Sequence, residues 1–262
     1  MRLSIVTPSY NQAQYIERTI ESVLGQNYPD LEYWVIDGGS TDGTVDILRR
    51  YEGRLNWISE KDNGQSDAIN KGWARCTGDV VAWTNSDDTY TPGSFGKVMK
   101  VFEERPDVDI VCGDIHYIDE EDRVLKRDVG GPFDVRRHVR MGYCLVHNQS
   151  TFYRRSLLQK VGGGVDTSLY YAMDFDLFCR LGQAGKSYYI PEVLGNFRYQ
   201  PMSKTSTGPR KSARESRMVR RKYMKSWTDL PWAWYYDFRV ELYMKLERYL
   251  LKPKEQQGGI AG

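Results

Sequence analysis

Short apolar runs alternate with longer segments of helical period up to about residue 118. Leu3-Ser4-Ile5-Val6, Tyr33-Trp34-Val35-Ile36, Leu55-Asn56-Trp57-Ile58, Val80-Val81-Ala82-Trp83 and Val108-Asp109-Ile110-Val111-Cys112 have the length and composition of buried strands. Between them Ile16, Ile20, Val23 and Leu24 fall on one helical face, as do Ile69 and Trp73. Strand and helix alternating in this way predict an α/β fold built on a mostly parallel sheet with helices on both sides.

In such a sheet ligands sit beyond the carboxyl ends of the strands. Four successive strand ends carry ligand-type residues: Thr7-Pro8-Ser9-Tyr10-Asn11, Asp37-Gly38-Gly39-Ser40-Thr41-Asp42-Gly43, Glu60-Lys61-Asp62-Asn63-Gly64-Gln65-Ser66-Asp67 and Asn85-Ser86-Asp87-Asp88. Each alone is also an ordinary turn or helix-cap composition. Their convergence on one rim is what marks a candidate site. Asp87 and Asp88 sharpen it, because adjacent carboxylates at the end of a core strand repel one another unless something positive lies beside them. Mg²⁺ or Mn²⁺ would resolve the conflict, being held by one or two carboxylates while phosphate oxygens and water complete the shell.

With 262 residues, 40% hydrophobic and 27% charged, the chain has the composition of a soluble globular protein, one large domain or a domain with an appendage. No apolar run approaches the ~20 residues of a membrane-spanning helix, and the N-terminal apolar segment is too short for a signal peptide. The expected location is therefore cytoplasmic. Cys76, Cys112, Cys144 and Cys179 have no zinc-like spacing and read as free thiols in a reducing compartment. Neither a P-loop nor a G-x-G-x-x-G fingerprint is present, which argues against an ATPase and against an NAD dehydrogenase.

Charge divides the chain unevenly. Residues 206–262 carry a net +7 and residues 1–205 a net −5. Within the tail, residues 210–225 hold eight basic residues and one Glu, and beyond Pro231 a helical pattern places Tyr235, Phe238, Leu242, Leu246 and Tyr249 at related positions. Two readings stay open: helices packing on the domain or on a second subunit, giving a homodimer, and an interfacial helix making peripheral contact with the inner face of an anionic membrane. No recognised nucleic-acid motif accompanies the basic segment, so nucleic acid is not an expected partner.

The segments SIVTPSYNQAQYIERTIESVLGQNYPDLEYWVIDGGSTDGT, EKDNGQSDAINKG, TNSDDTYTPG and YYAMDFDLFCRL, in this order, resemble glycosyltransferase family 2, whose members have the GT-A fold. The resemblance covers residues 1–205, with a nucleotide-sugar-binding half at 1–88 and an acceptor-binding half at 89–205, and leaves 206–262 as a helical extension. It implies an inverting, metal-dependent transfer of one sugar from a nucleoside diphosphate sugar, UDP-sugar being the expected donor, to a hydroxyl of a polysaccharide or lipid-linked glycan. Thr7, Pro8, Ser9, Tyr10 and Asp37 would then hold base and ribose, while Asp62, Gly64, Gln65, Asp67 and Lys71 line the donor site. Asn85-Ser86-Asp87 stands in the D-x-D position, with Asn85 replacing the first acid, Asp87 the metal ligand and Asp88 beside it.

By the same resemblance Asp174 in YYAMDFDL matches the catalytic base; its structural alternative is a helix N-cap. Met173 stands where the family usually has Glu. His147 and Gln149 resemble an acceptor-side segment, although a lone His is also a common structural residue. Arg198-Tyr199-Gln200-Pro201-Met202-Ser203-Lys204 resembles a late loop that often carries a His near the diphosphate; Gln200 occupies that place, and Arg198 and Lys204 are the cations available for phosphate. Residues 203–209 are expected to act as a lid. The rival readings are a sugar-nucleotide pyrophosphorylase, which usually needs a basic, Gly-rich first loop that Thr7 to Asn11 lacks, and a non-catalytic nucleotide-sugar-binding or assembly protein docked through the tail.

Overall fold

Every residue of β1 (Leu3–Ser9) is buried, because this strand lies between β2 (Leu31–Asp37) and β4 (Val80–Trp83), parallel to both. Side chains alternate across the sheet with period two. Leu3, Ile5, Val80 and Ala82 enter one core, and Val6, Val81 and Trp83 enter the other. Helix α1 (Ile16–Leu24) fills the first core with Ile16, Ile20 and Val23, whereas α3 (Gln65–Trp73) fills the second with Ala68, Ile69 and Trp73. Short α2 (Thr44–Arg50) and edge strand β3 (Asn56–Ser59) complete the parallel half, in the order β3-β2-β1-β4.

This computed structural model describes all residues except 143, 201–203, 205–207, 225 and 251–262, and only the backbone of 243–250. Among the described residues the sheet has nine strands and continues beyond β4 through β8 (Thr151–Arg154), β6 (Ile110–Ile118), β9 (Ser187–Arg198) and β5 (Thr89–Tyr90), with β7 (Val124–Asp128) on β6. Here β4–β8, β6–β8, β6–β7 and β5–β9 are antiparallel and β6–β9 is parallel. The sheet is thus parallel over its first four strands, as expected, and mixed beyond β4. Pattern reading is weakest in this half. β9 contains Pro191 and Gly195, residues that count against a strand, and its register with β6 shifts around Asp114 to accommodate them.

Helices α4 (Ser94–Glu104), α5 (Val135–Met141), α6 (Arg155–Lys160) and α7 (Met173–Ala184) flank the second half, followed by α8 (Pro209–Tyr223) and α9 (Leu230–Leu250). The two tail helices pack on the domain. Val219 of α8 joins the second core, and Tyr223 Oη donates to Asp176 Oδ1 at 2.8 Å. Arg220 of α8 pairs with Asp237 of α9 at 2.5 Å, while Arg136 and Arg140 of α5 donate to Asp229 at 3.1 and 2.7 Å. On α9 Ala233 is buried, but Leu230, Trp234, Tyr235, Phe238 and Leu242 are exposed; the Leu246 and Tyr249 side chains lie outside the described residues. No helix is long and apolar enough to cross a membrane among the described residues, and all four cysteines are free.

Gly72 lets α3 approach β1, since a Cβ there would come within 2.4 Å of Val6 Cγ1. Val6 is fully buried and β-branched, so it cannot swing away. Gly72→Ala is therefore expected to lower folding stability by about 1–3 kcal/mol in urea denaturation, and Val6→Ala in the same chain to recover part of that loss.

Candidate functional site

Because β1, β2, β3 and β4 run parallel, their carboxyl ends share one edge, and a cleft of about 810 Å³ opens there. It is lined by Pro8, Ser9, Tyr10 and Gln12 from the first strand end, Gly38 and Gly39 from the second, Lys61, Asp62, Gly64 and Gln65 from the third, and Asn85, Ser86 and Asp87 from the fourth. The rest of its lining comes from Ala68, Trp83, Asn148, Tyr170, Tyr171, Met173, Asp174, Phe197, Gln200, Lys204 and Ser212. Residues scattered over two hundred positions thus meet in one cavity.

Asp37 anchors the second strand end from inside. Its buried carboxylate accepts from Gly39 N at 3.1 Å, Ser40 N at 2.9 Å, Ser40 Oγ at 2.5 Å and Ser59 Oγ at 2.6 Å. These bonds fix the Gly38-Gly39 turn facing the cleft, so Asp37 shapes the wall without lining it. Asp62 then lies over Gly38, where a Cβ would come within 2.7 Å of Asp62 Oδ2, and its Oδ1 accepts from Gly64 N at 2.8 Å. Gln65 Nε2 donates to Asn85 Oδ1 at 2.6 Å, joining the third and fourth loops.

The paired acids point in different directions. Asp87 faces the cleft, with Gln200 Nε2 donating to its Oδ2 at 2.5 Å. Asp88, expected beside the metal, is instead turned into the protein: its carboxylate accepts from Asn85 Nδ2 at 2.8 Å, from the backbone N of Arg198 at 2.8 Å and from Gln149 Nε2. Burial raises the pKa of both carboxyls, and the charge of Asp87 pushes Asp88 further up. Asp87 sits in a turn closed by the bond from Asp88 N to the Asn85 carbonyl at 3.2 Å, and the three donors on the Asp88 carboxylate hold that side chain away from the cleft.

Several other expected contacts also fall outside the cleft. Arg198 is buried beneath the 85–88 loop, where its guanidinium donates to the carbonyls of Asp87 at 2.8 Å and Asp119 at 2.7 Å and to Asp122 Oδ1 at 2.5 Å. Its charge braces that loop and does not face the cavity. Gln149 is spent on Asp88, and His147 Nε2 pairs with Asp128 Oδ2 at 3.2 Å. Thr7 meets Tyr33 Oη at 3.1 Å inside the sheet. Lys71 bridges Glu60 at 2.9 Å and Asp67 at 3.4 Å, stiffening the third loop from behind. Of the 203–209 segment, 203 and 205–207 lie outside the described residues; Lys204 lines the cleft, donating to Gln65 Oε1 and the Tyr170 carbonyl, each at 3.0 Å.

Asp174 lies in the first turn of α7, after the N-cap Ala172, which corrects the N-cap reading. Its Oδ1 accepts from Phe175 N at 2.7 Å. Burial pushes its carboxyl above the ordinary range, with the Phe175 amide and the Cys144 thiol pulling the other way. Met173, in place of the family's Glu, accepts from Ser66 Oγ at 2.7 Å and ties α7 to α3. Ser9, Gln12, Trp83 and Asn148 each line the cleft and keep one buried polar atom without a partner among the described residues. Unsatisfied buried polar atoms cost about 1–3 kcal/mol each and tend to persist where function requires them.

No group of three or more metal-ligating side chains occurs among the described residues. The Asp87 carboxylate with the Gln200 amide beside it is a donor set that fits Mg²⁺ or Mn²⁺ drawing its remaining oxygens from ligand and water, and does not fit a metal caged by protein alone.

The arrangement matches known structures of GT-A fold. S. aureus TarS in complex with UDP-GlcNAc superposes with a TM-score of 0.72 at 17% identity, covering 97% of this chain and 77% of that one. The mannosyltransferase PcManGT of Pyrobaculum calidifontis, in complex with GDP-Man and Mn²⁺, gives a TM-score of 0.65 at 21% identity, covering 94% and 70%. In sequence, the Glycosyl transferase family 2 model matches residues 4–162, and the chain belongs to that family. An uncharacterized glycosyltransferase of Nostoc is 31% identical over 62% of this chain and 53% of its own length. Escherichia coli chondroitin synthase is 29% identical over 74% of this chain, which spans only 28% of that larger protein.

The opposite orientations of the paired acids give different expectations. Asp88→Ala strands three donors and should cost about 1–3 kcal/mol of stability in urea denaturation, whereas Asp87→Ala, which removes a carboxylate from the cleft, should cost clearly less.

Proposed function

We propose that the protein is an inverting, cation-dependent glycosyltransferase moving a sugar from a nucleoside diphosphate sugar, a UDP-sugar in our reading, to a hydroxyl of a polysaccharide or lipid-linked glycan. The observation that carries this reading is that Asp87 and Asp174, both half-buried carboxyls whose pKa is raised by desolvation, share one cleft with the loops of four strand ends. The nucleotide complexes of TarS and PcManGT support the donor class. Chondroitin synthase, and a putative teichuronic acid biosynthesis glycosyltransferase of Bacillus subtilis 40% identical over 39% of this chain, support a glycan acceptor.

In this mechanism Pro8 to Tyr10, Gly38, Gly39 and Asp62 enclose base and ribose. Asp87, with Gln200 beside it, would hold Mg²⁺ or Mn²⁺, whose charge stabilises the departing diphosphate. Asp174 accepts the proton of the acceptor hydroxyl as that oxygen bonds to the anomeric carbon, and the bond to the diphosphate breaks with its electron pair leaving on phosphate oxygen. A carboxyl raised by burial is a stronger base than an exposed one, which suits this step.

Calorimetry with UDP, with and without Mn²⁺, tests the reading: cation-dependent binding is expected, and no binding of any nucleoside diphosphate would favour a non-catalytic docking protein. Asp174→Asn should lower turnover about 10²–10⁴-fold while leaving UDP binding intact; near-normal turnover would remove Asp174 from the mechanism. Because the base acts deprotonated and burial raises its pKa, activity should fall on acidification at a pH above the usual carboxylate range.

We further propose that the tail contacts an anionic bilayer. Leu230, Trp234, Phe238 and Leu242 recur every four residues or so along α9 and are all exposed, next to exposed Trp227. The same two helices expose Arg210, Lys211, Arg214, Arg221, Lys222 and Arg239. Aromatic and basic residues together suit a lipid headgroup layer, whereas a second copy would bring like charges together. Co-sedimentation with vesicles containing phosphatidylglycerol is expected, and should be lost with neutral vesicles or on replacing Leu230, Trp234 and Phe238 by Ser. Dimerisation of the unaltered protein in sedimentation equilibrium, without vesicle binding, would overturn this.

A further inference from the structure

Helix α8 is basic almost throughout: Pro209–Tyr223 contains seven Lys and Arg, and Glu215 is its one acid. That single carboxylate is not spent on the cations around it. It reaches across to the segment before α7 and accepts from three consecutive backbone amides, Tyr170 N at 3.1 Å, Tyr171 N at a shorter distance and Ala172 N at 2.7 Å. Ala172, the N-cap of α7, makes no side-chain cap bond, so an acid from another helix does the capping. Tyr170, Tyr171, Met173 and Asp174 all line the cleft.

We infer that Glu215 is a positioning residue for the proposed reaction: it fixes the 170–172 backbone so that the next turn presents Asp174 to the acceptor hydroxyl. The inference rests on the transferase reading of the cleft. Two features separate this role from simple packing of the tail. First, α8 is already seated by Val219 in the core, by the Tyr223–Asp176 bond and by Gly208, where a Cβ would come within 2.3 Å of Tyr171 Oη. Losing the Glu215 charge should therefore leave the helix in place. Second, Asp174 Oδ1 holds Phe175 N, so one short segment is gripped by a carboxylate on each side of the α7 start. Loosening the grip at 170–172 leaves Asp174 attached to a turn with no other fixed partner for those amides among the described residues.

The test is Glu215→Gln, which keeps the shape but offers one acceptor atom where the carboxylate has two. Hydrogen–deuterium exchange at 170–172 should speed up while exchange in β1 and β4 stays unchanged. Turnover should fall about 10- to 100-fold, as expected when a reacting group is displaced by about 1 Å, with UDP affinity and donor KM within about twofold of the unaltered protein. Glu215→Asp, which restores the charge one methylene short, should recover part of the turnover, and it replaces the Gln variant should that one not fold. Unchanged exchange at 170–172 in a folded variant would overturn the clamp. Faster exchange with unchanged turnover would overturn the positioning role. An unaltered protein that binds no nucleoside diphosphate would instead overturn the proposed function, a result the exchange measurement does not depend on.

Discussion

A buried carboxylate holds the two halves of this sheet together at the point where the cleft forms. Asp88 accepts from Asn85 at the end of the parallel half, from Gln149 in the turn before β8 and from the backbone of Arg198 at the end of β9. A carboxyl group is costly to bury, and this one is accommodated because three donors converge on it. Arg198 adds a second tie, running from β9 to the Asp87 carbonyl and on to the β6–β7 turn at Asp119 and Asp122. Asp87 gains its fixed orientation from these bonds, since its neighbour and its own carbonyl are both immobilised.

The division of the sheet follows from this junction. The parallel half delivers four strand ends to one edge, as topology requires, and its loops are stiffened from within by Asp37 and from behind by Lys71. The mixed half supplies Asn148, Phe197 and Gln200, and α7 supplies Asp174. Several charged residues near the site therefore act on loops, and only a few face the cavity.

This distribution explains what could be read from residues alone. The strands of the first half and the cleft-facing Pro8, Ser9, Tyr10, Asp62, Gly64, Gln65, Asn85, Ser86 and Asp87 were legible, because a parallel sheet puts each strand end on the same rim. The inward turn of Asp88, the burial of Arg198 and the pairing of His147 with Asp128 were not, because side-chain direction depends on long-range partners such as Gln149 and Asp122. β9 was hidden by Pro191 and Gly195, and Glu215 by its setting in a basic stretch that reads as a solvated face. Its one signal was being the lone acid there.

The family match ends at residue 162, yet Asp174, Gln200, Lys204, Ser212 and the Glu215 cap all lie beyond it. Helix α8 thus contributes to the cavity wall through Ser212 and to its backing through Glu215. A shortened chain ending at residue 205 would lose Ser212 from the lining, expose Val219's partners in the core and free the amides ahead of α7. Replacing the tail of this chain by an unrelated segment would therefore rebuild one wall of the cleft.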